Sequence, residues 1–380
     1  MIVAASRSLA RHGAVYCTAS APISVGVIGG GISGVTAARA LAEAGVSVVV
    51  HERSAILGGR LGAVEFEGEF VSAACSYIKA SDPSFRRQCE RWEEDGVLCE
   101  WSNASPHVIA APGEWAPLSS KDERWFVGAP DMGAPTALTT GTDSSIDVRH
   151  GDVFDVNFDA ASQQWVVATQ PATEDAADLD AEVPIESHLY SALVLAVPVH
   201  EAAELLDRKL LDALLGRRRY KDFVKERVSA LFKFERSLEL PFGFAAITMD
   251  DAPATVVISE SSRRRSSSES EEDCEIWVVQ SATSWAKSAL DEEMGDAEME
   301  ASLLVAFADA IGRKVDELPP VVSQAASVWP YGDMDYEVEG GCVWKADMRL
   351  ALAGDWAYNG RVQGAWLSGR AAAQRVLDAL

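Results

Sequence analysis

A glycine string at the end of a short apolar run limits what this chain can fold into more than any other feature. Ile23 to Gly29 (ISVGVIG) has the length and residue types of a buried strand, and it runs into Gly29-Gly30-Gly31-Ile32-Ser33-Gly34. From Ser33 to Ala44 the residues Val35, Ala38, Leu41 and Ala42 recur at helical spacing, and Gly45 is placed to cap the C-terminus. Val46 to His51 (VSVVVH) is a second buried strand, ended by Glu52. Strand, glycine turn, helix and strand in this order make a βαβ unit. Gly29, Gly31 and Gly34 then fit GxGxxG in the context that pattern requires. Gly29 permits the tight turn, Gly31 lets the backbone approach a pyrophosphate, and Gly34 lets the helix pack close to the strand. The helix start at Ile32 and Ser33 turns N–H groups and dipole toward the phosphates. Glu52 stands 23 residues after Gly29, where a carboxylate accepts hydrogen bonds from ribose hydroxyls.

The composition narrows the function classes. Lys plus Arg is 33 against 58 for Asp plus Glu, a formal charge of −25 that repels nucleic-acid backbones. An anionic cofactor must therefore be held by local dipoles. The longest apolar runs, such as Ala192 to Pro198, fall far short of the roughly 20 residues of a membrane span. The six cysteines form no CxxC pair and no His/Cys metal spacing, so they read as buried or free thiols and no metal site is expected. Residues 1–22 carry Arg7, Arg11 and His12, and the first acidic residue is Glu43. Such a leader reads as an organelle transit peptide, chloroplast ahead of mitochondrion, or as a plain extension of a cytoplasmic protein.

Along the chain, Pro83 to Glu94 reads as a helix in a Trp- and charge-rich excursion over 81–127. Ser145 to Thr169 alternates like strands joined near Asp159 to Gln163, Leu193 to Val197 is a buried strand, and Glu201 to Leu215 an amphipathic helix. Val228–Glu235, Phe244–Met249, Thr255–Ser259 and Glu275–Gln280 are strands whose proximity predicts an antiparallel sheet. Residues 261–273 (SSRRRSSSESEED) are too polar to bury themselves and read as a disordered loop. Residues 350–353 return as a strand, and Gly364 to Leu380 is an Ala-rich helix. The expected class is α/β. A Rossmann-like lobe with a doubly wound, mainly parallel sheet combines 23–80, 140–205 and 346–380. A substrate lobe on an antiparallel sheet combines 81–139 and 206–345.

Glu52-Arg53-Ser54-Ala55-Ile56-Leu57-Gly58-Gly59-Arg60 resembles the ExxxxxGGR extension of the amine-oxidase-like flavoprotein superfamily. Leu352-Ala353-Gly354-Asp355, followed by Gly360-Arg361-Val362-Gln363-Gly364-Ala365-Trp366-Leu367-Ser368-Gly369-Arg370, resembles its second flavin site. Within that superfamily the chain is most similar to the renalase family. Ser72-Ala73-Ala74-Cys75-Ser76-Tyr77-Ile78, Asp82-Pro83-Ser84-Phe85-Arg86, Val127 to Met132 and Leu193 to Pro198 match in type and order. The resemblance implies non-covalent FAD. Arg53, Gly59 and Arg60 would join the first glycines, with Arg60 neutralising the pyrophosphate. Val153 would meet the adenine through its backbone, Asp355 would bond a ribityl hydroxyl, and the helix start at Val362 and Gln363 would face flavin N1 and O2. Ser72, Ala74 and Ser76 depart from the family's acid, glycine and glutamine beside the ring.

By resemblance, the activity is oxidation of isomeric dihydronicotinamide dinucleotides, with O2 as acceptor and H2O2 as product. An amine oxidase on the same cofactor is the runner-up, and a flavin-binding subunit of an organelle complex without turnover is a third reading. No Ser-His-Asp set or paired catalytic carboxylates compete with flavin chemistry. Tyr77, Trp329, Trp356 and Tyr358 are candidate aromatic walls of the substrate pocket, with ordinary core as the competing reading for each. His51, His150 and His200 read as structural.

Overall fold

The structure is a computed structural model that describes residues 23–102, 104–118, 124–141, 145–171, 184–263, 274–332 and 335–380. The leader at 1–22 and residues 264–273 of the polar loop lie outside the described residues; the expectation of disorder over 261–273 fails at its start, where Arg263 is buried and bonded to Glu260 and Ser72. The first strand, Ser24–Ile28, is at the centre of a six-stranded sheet. It pairs in parallel with Ser47–Glu52 on one side and Ala192–Leu195 on the other. Ile146–His150 extends the sheet beyond Ser47–Glu52, and Leu350–Leu352 extends it beyond Ala192–Leu195, both in parallel. Strands covered on both faces must be apolar throughout, and Val25, Val27, Val48, Val50, Leu193, Val194 and Leu352 are all buried. Gly26 lacks a side chain because the Tyr190 ring lies on it; a Cβ there would come within 2.6 Å of that ring.

The helix Ile32–Glu43 crosses back over this sheet and packs against the last helix, Arg361–Leu377. Their approach is close enough that a Cβ on Gly369 would stand 2.2 Å from the Ser33 carbonyl oxygen. Residues 29–34 and 354–362 thereby meet at the carboxyl ends of the central strands, where open α/β sheets bind ligands.

The second large sheet has seven strands in the order Val321–Gly332, Val224–Phe234, Glu275–Ser281, Ala254–Ser259, Phe244–Ile247, His107–Ala111, Glu114–Pro117. All neighbours are antiparallel except Phe244–Ile247 with His107–Ala111. One face, carrying Phe232, Phe234 and Trp277, is covered by helices Thr283–Asp291 and Asp296–Ala310. Alternate residues Leu231, Val278, Ile276 and Phe244 face Ile78, Trp125 and Phe126 on the other side. A smaller antiparallel sheet, Asp152–Asp159, Gln164–Gln170 and Glu186–Tyr190, lies beside the parallel one. No helix among the described residues is long and apolar enough to cross a membrane.

Parallel and antiparallel sheets, the helix Pro83–Glu94 and the strands near 230, 245, 256 and 277 are where the sequence predicts them. Three elements differ. The helix expected over 201–215 is two helices, Val199–Leu205 and Arg208–Leu215, because Asp207 caps the second through bonds from Lys209 N at 2.9 Å and Leu210 N at 3.2 Å. The strand beginning near Ser145 breaks at Gly151, whose φ of +156° sends Ile146–His150 to the parallel sheet and Asp152–Asp159 to the smaller one. Val343–Lys345, assigned from sequence to the substrate lobe, turns back on Leu350–Leu352 as the antiparallel edge of the parallel sheet.

Candidate functional site

A cavity of about 780 Å³ opens at the carboxyl ends of the parallel strands and runs to the strand Val321–Gly332 of the second sheet. Gly29, Gly31, Ile32, Ser33, Glu52, Arg53, Gly59, Arg60, Val153, Trp329, Asp355, Trp356 and Val362 all line it. At its first end two glycine turns abut: Gly58 N donates to Gly30 O at 3.0 Å, and Gly31 bridges Gly58. The glycines here are required for different reasons. Gly29 has φ +100°, and a Cβ there would lie 2.7 Å from Ala196 O. At Gly34 a Cβ would strike Gly29 O at 1.9 Å, so this residue sets the strand–helix spacing and does not line the cavity. Gly31 is different. Its φ of −71° and ψ of 173° suit any residue, and an added Cβ would meet only Gly58 O at 3.8 Å. Among the described residues nothing demands glycine at 31, and the missing side chain leaves a hollow in the cavity wall.

Ser33 Oγ, in the first turn of the helix, is buried and has no partner among the described residues. The helix also has no side-chain cap, which leaves its first N–H groups available. A hollow at Gly31, an orphaned hydroxyl and a bare helix N-terminus fit the diphosphate of a dinucleotide. Glu52 is preset beside them, with Oε2 accepting from Gly30 N at 2.6 Å and Oε1 from Ser54 N at 2.8 Å. Its remaining lone pairs can take ribose hydroxyls. Arg53, largely exposed, pairs with Glu201 at 2.9 Å.

The far end joins both sheets. Arg60 Nη1 and Nη2 donate to the two Asp355 carboxylate oxygens at 2.7 and 2.6 Å, and Nη1 also reaches Pro330 O at 2.7 Å. Gly332 N donates to Asp355 Oδ2 at 2.8 Å. Burial opposes both charges. The charge and hydrogen bonds of the pair outweigh it, so Asp355 stays below the usual carboxylate range and Arg60 above the usual guanidinium one. The two residues that the sequence reading sent separately to pyrophosphate and ribityl chain therefore hold each other. Cys75 also faces the cavity, its thiol pushed up to about 11 by burial.

Among the aromatic candidates Trp329 lines the cavity, and Trp356 contributes from a fully buried position with Nε1 donating to Val197 O at 3.2 Å. Tyr77 does not line it; its ring stacks on Trp125 with centroids 4.9 Å apart and meets Phe244 edge-on. Tyr358 is also outside, where its carbonyl is the group that Gly364 approaches. Gln363 turns away because its Oε1 accepts from Ser81 N and Asp82 N, each at 2.8 Å, ahead of the helix Pro83–Glu94. Sequence reasoning missed Tyr331, which lines the cavity with Trp329 two residues before it on the same face of the strand. The alternation in Trp329-Pro330-Tyr331 carried that signal, but Pro330 argued against a strand. An edge strand tolerates it. His51, at the end of its strand, bonds Tyr190 OH through Nε2 at 2.7 Å, and burial with the nearby His188 and Arg149 lowers its pKa to about 4. His150 bonds Ser54 O at 2.7 Å.

A glycine-turn nucleotide fold beside an antiparallel sheet is the class that this geometry defines. Residues 27–92 match the NAD(P)-binding Rossmann-like domain. A structure described as a protoporphyrinogen oxidase from Exiguobacterium sp. 255-15 superposes with a TM-score of 0.65 at 10% identity, covering 95% of this chain and 100% of that one. Wild-type putrescine oxidase bound to putrescine superposes with a TM-score of 0.61 at 14% identity, covering 94% and 99%. At these identities the likeness is one of fold.

Proposed function

We propose that this chain is an FAD-dependent oxidoreductase that takes hydride from a dihydronicotinamide-type donor and passes both electrons to O2, giving H2O2. Gly31, Ser33 and the helix start at Ile32 would hold the diphosphate, Glu52 the adenosine ribose, and Val153 the adenine. The Arg60–Asp355 pair and Val362 would frame the ring end. FAD supplies the hydride acceptor and the two-electron path to O2. The protein places the donor and excludes competing chemistry.

One observation carries the choice of donor. Among the described residues, the groups at the ring end that could accept a proton are already committed. Tyr331 OH donates to Ala74 O, the Cys75 thiol stays protonated at neutral pH, and the Asp355 carboxylate is closed by Arg60 and Gly332 N. An amine arrives mostly as ammonium and must lose a proton before it can yield hydride. A dihydropyridine gives up hydride from carbon with no base, and its flat ring matches the aromatic surfaces of Trp329 and Tyr331. An amine substrate is the second reading, favoured by the likeness of fold to putrescine oxidase.

The purified protein should be yellow and release unmodified FAD on denaturation. Isomeric dihydronicotinamide dinucleotides should bleach it faster than ordinary NADH or simple amines, and one H2O2 should form per donor oxidised in air. Faster bleaching by amines would move the assignment to the second reading, and a colourless protein that takes up no FAD would end both.

A further inference from the structure

Ser72, Ala73, Ala74 and Ser76 are buried, yet they lie between the strands Glu69–Val71 and Ile78–Lys79 with no ladder of their own. Buried carbonyls without a ladder need other donors. Here the donors are side chains, most of them from the second sheet. Gln280 Nε2 donates to Ala73 O at 3.3 Å and to Ala74 O at 3.1 Å. Both partners are carbonyl oxygens, so only the amide nitrogen of Gln280 can face them. Tyr331 OH donates to the same Ala74 O. Arg263 Nη2 donates to Ser72 Oγ at 2.9 Å while its Nη1 holds Glu260 at 2.7 Å, an ion pair whose side chains are 4% and 5% exposed. Ser76 Oγ closes the loop on Ser72 O at 2.8 Å.

These donors come from three places: Gln280 from Glu275–Ser281, Tyr331 from Val321–Gly332, and Arg263 from the turn after Ala254–Ser259. What they suspend is the stretch that puts Cys75 on the cavity wall. We propose that Gln280, Tyr331 and Arg263 are positioning residues that fix how far the 72–76 wall stands from the cofactor ring, with Gln280 central because its one amide holds two consecutive carbonyls. The proposal rests on FAD occupying the cavity. Without Gln280 the freed carbonyls must find water, and the cavity that the adjoining Cys75 lines can supply it. The wall then shifts inward, Cys75 becomes more accessible, and the donor no longer lies flat on the ring.

The test uses Gln280→Leu, which keeps the bulk and removes the donor, and Tyr331→Phe, which removes a single hydroxyl and keeps the ring. In protein stripped of FAD, alkylation of Cys75 by N-ethylmaleimide, read on its peptide by mass spectrometry, should be severalfold faster in Gln280→Leu and faster to a smaller degree in Tyr331→Phe. In the loaded protein the flavin absorption band should shift at full FAD occupancy, and the rate of reduction should fall by about tenfold to a hundredfold, as expected for a small misplacement of reacting groups. Wild-type Cys75 reactivity and an unshifted flavin band in both variants would overturn the proposal, even with a lowered unfolding temperature, because the contacts would then be structural only. Loss of FAD with Cys75 unchanged would overturn it too. A wild type that binds no FAD would sink the functional reading separately, with the alkylation rates still reporting on the wall.

Discussion

At the cavity end proposed for the phosphates the chain works with backbone and missing side chains, and the residues that shape it lie between Gly29 and Gly59; the opposite end is the one proposed for the ring. At the ring end the wall is irregular backbone at 72–76, held by donors 191 to 257 positions further along the chain. The first end can be specified locally, because a tight turn, a close approach and a helix start each need a particular residue at a particular place. The second can be specified only by the fold. A glycine substitution should therefore act on one function at a time at the first end, whereas changes at the second should act on placement and stability together.

The two kinds of glycine should respond in opposite ways to the same substitution. Gly31→Val should fold normally and lose FAD retention by at least about a hundredfold, since the side chain points into the hollow and displaces a phosphate held by about 3 kcal/mol or more of charge-assisted bonds. Gly34→Val should fail to fold, because its side chain meets Gly29 O with nowhere to move. Equal FAD retention in Gly31→Val and wild type, measured by absorbance after gel filtration, would remove the phosphate assignment. The next largest effect is at the ring end. Asp355→Asn leaves the Arg60 charge without its carboxylate, and breaking such a pair costs about 3–5 kcal/mol in unfolding free energy. A denaturant midpoint unchanged from wild type would show that the pair does not join the two sheets.

A pH effect follows from His51. Its folded pKa of about 4 lies below the ordinary 6.5, so the folded state binds the proton less readily than the unfolded chain does. Its contribution is full above pH 6.5 and is lost as pH falls toward 4, by about 3 kcal/mol at most. Thermal unfolding between pH 7 and 4 should show this loss, and His51→Gln should flatten it. A curve of the same steepness in the variant would assign the loss to other groups. The smallest effect is Glu52→Ala, which removes the acceptor of Gly30 N–H and Ser54 N–H and should weaken FAD binding by about 1.5–3 kcal/mol. Calorimetric titration of FAD into stripped protein checks it.

The legibility of the sequence follows the same division. The βαβ unit could be read because the spacing of Val35, Ala38 and Leu41 and the glycines around them are local signals. The strand Val321–Gly332 escaped because only its last residue is fully buried and Pro330 interrupts it. Its Tyr331 was lost with it. Tyr77 looked like a pocket wall because of its position in the chain, but Trp125 and Phe244, distant in sequence, claim its ring. Gln363 was read from its place at a helix start. Its side chain had an equally good use beside Ser81 and Asp82, which only the assembled fold brings near. The pairing of Arg60 with Asp355 was likewise invisible at a separation of 295 residues.

If hydride leaves the donor without a base, the rate of reduction follows no ionisation of the protein. The anaerobic rate of flavin reduction by an isomeric dihydronicotinamide dinucleotide, followed by stopped flow from about pH 6 to 9, covers the range in which a catalytic base is expected to titrate. A rate that stays level across that range, and exceeds reduction by any amine at every pH, is the predicted result. A rate that climbs tenfold per pH unit through a single ionisation, or faster reduction by an amine, would contradict it.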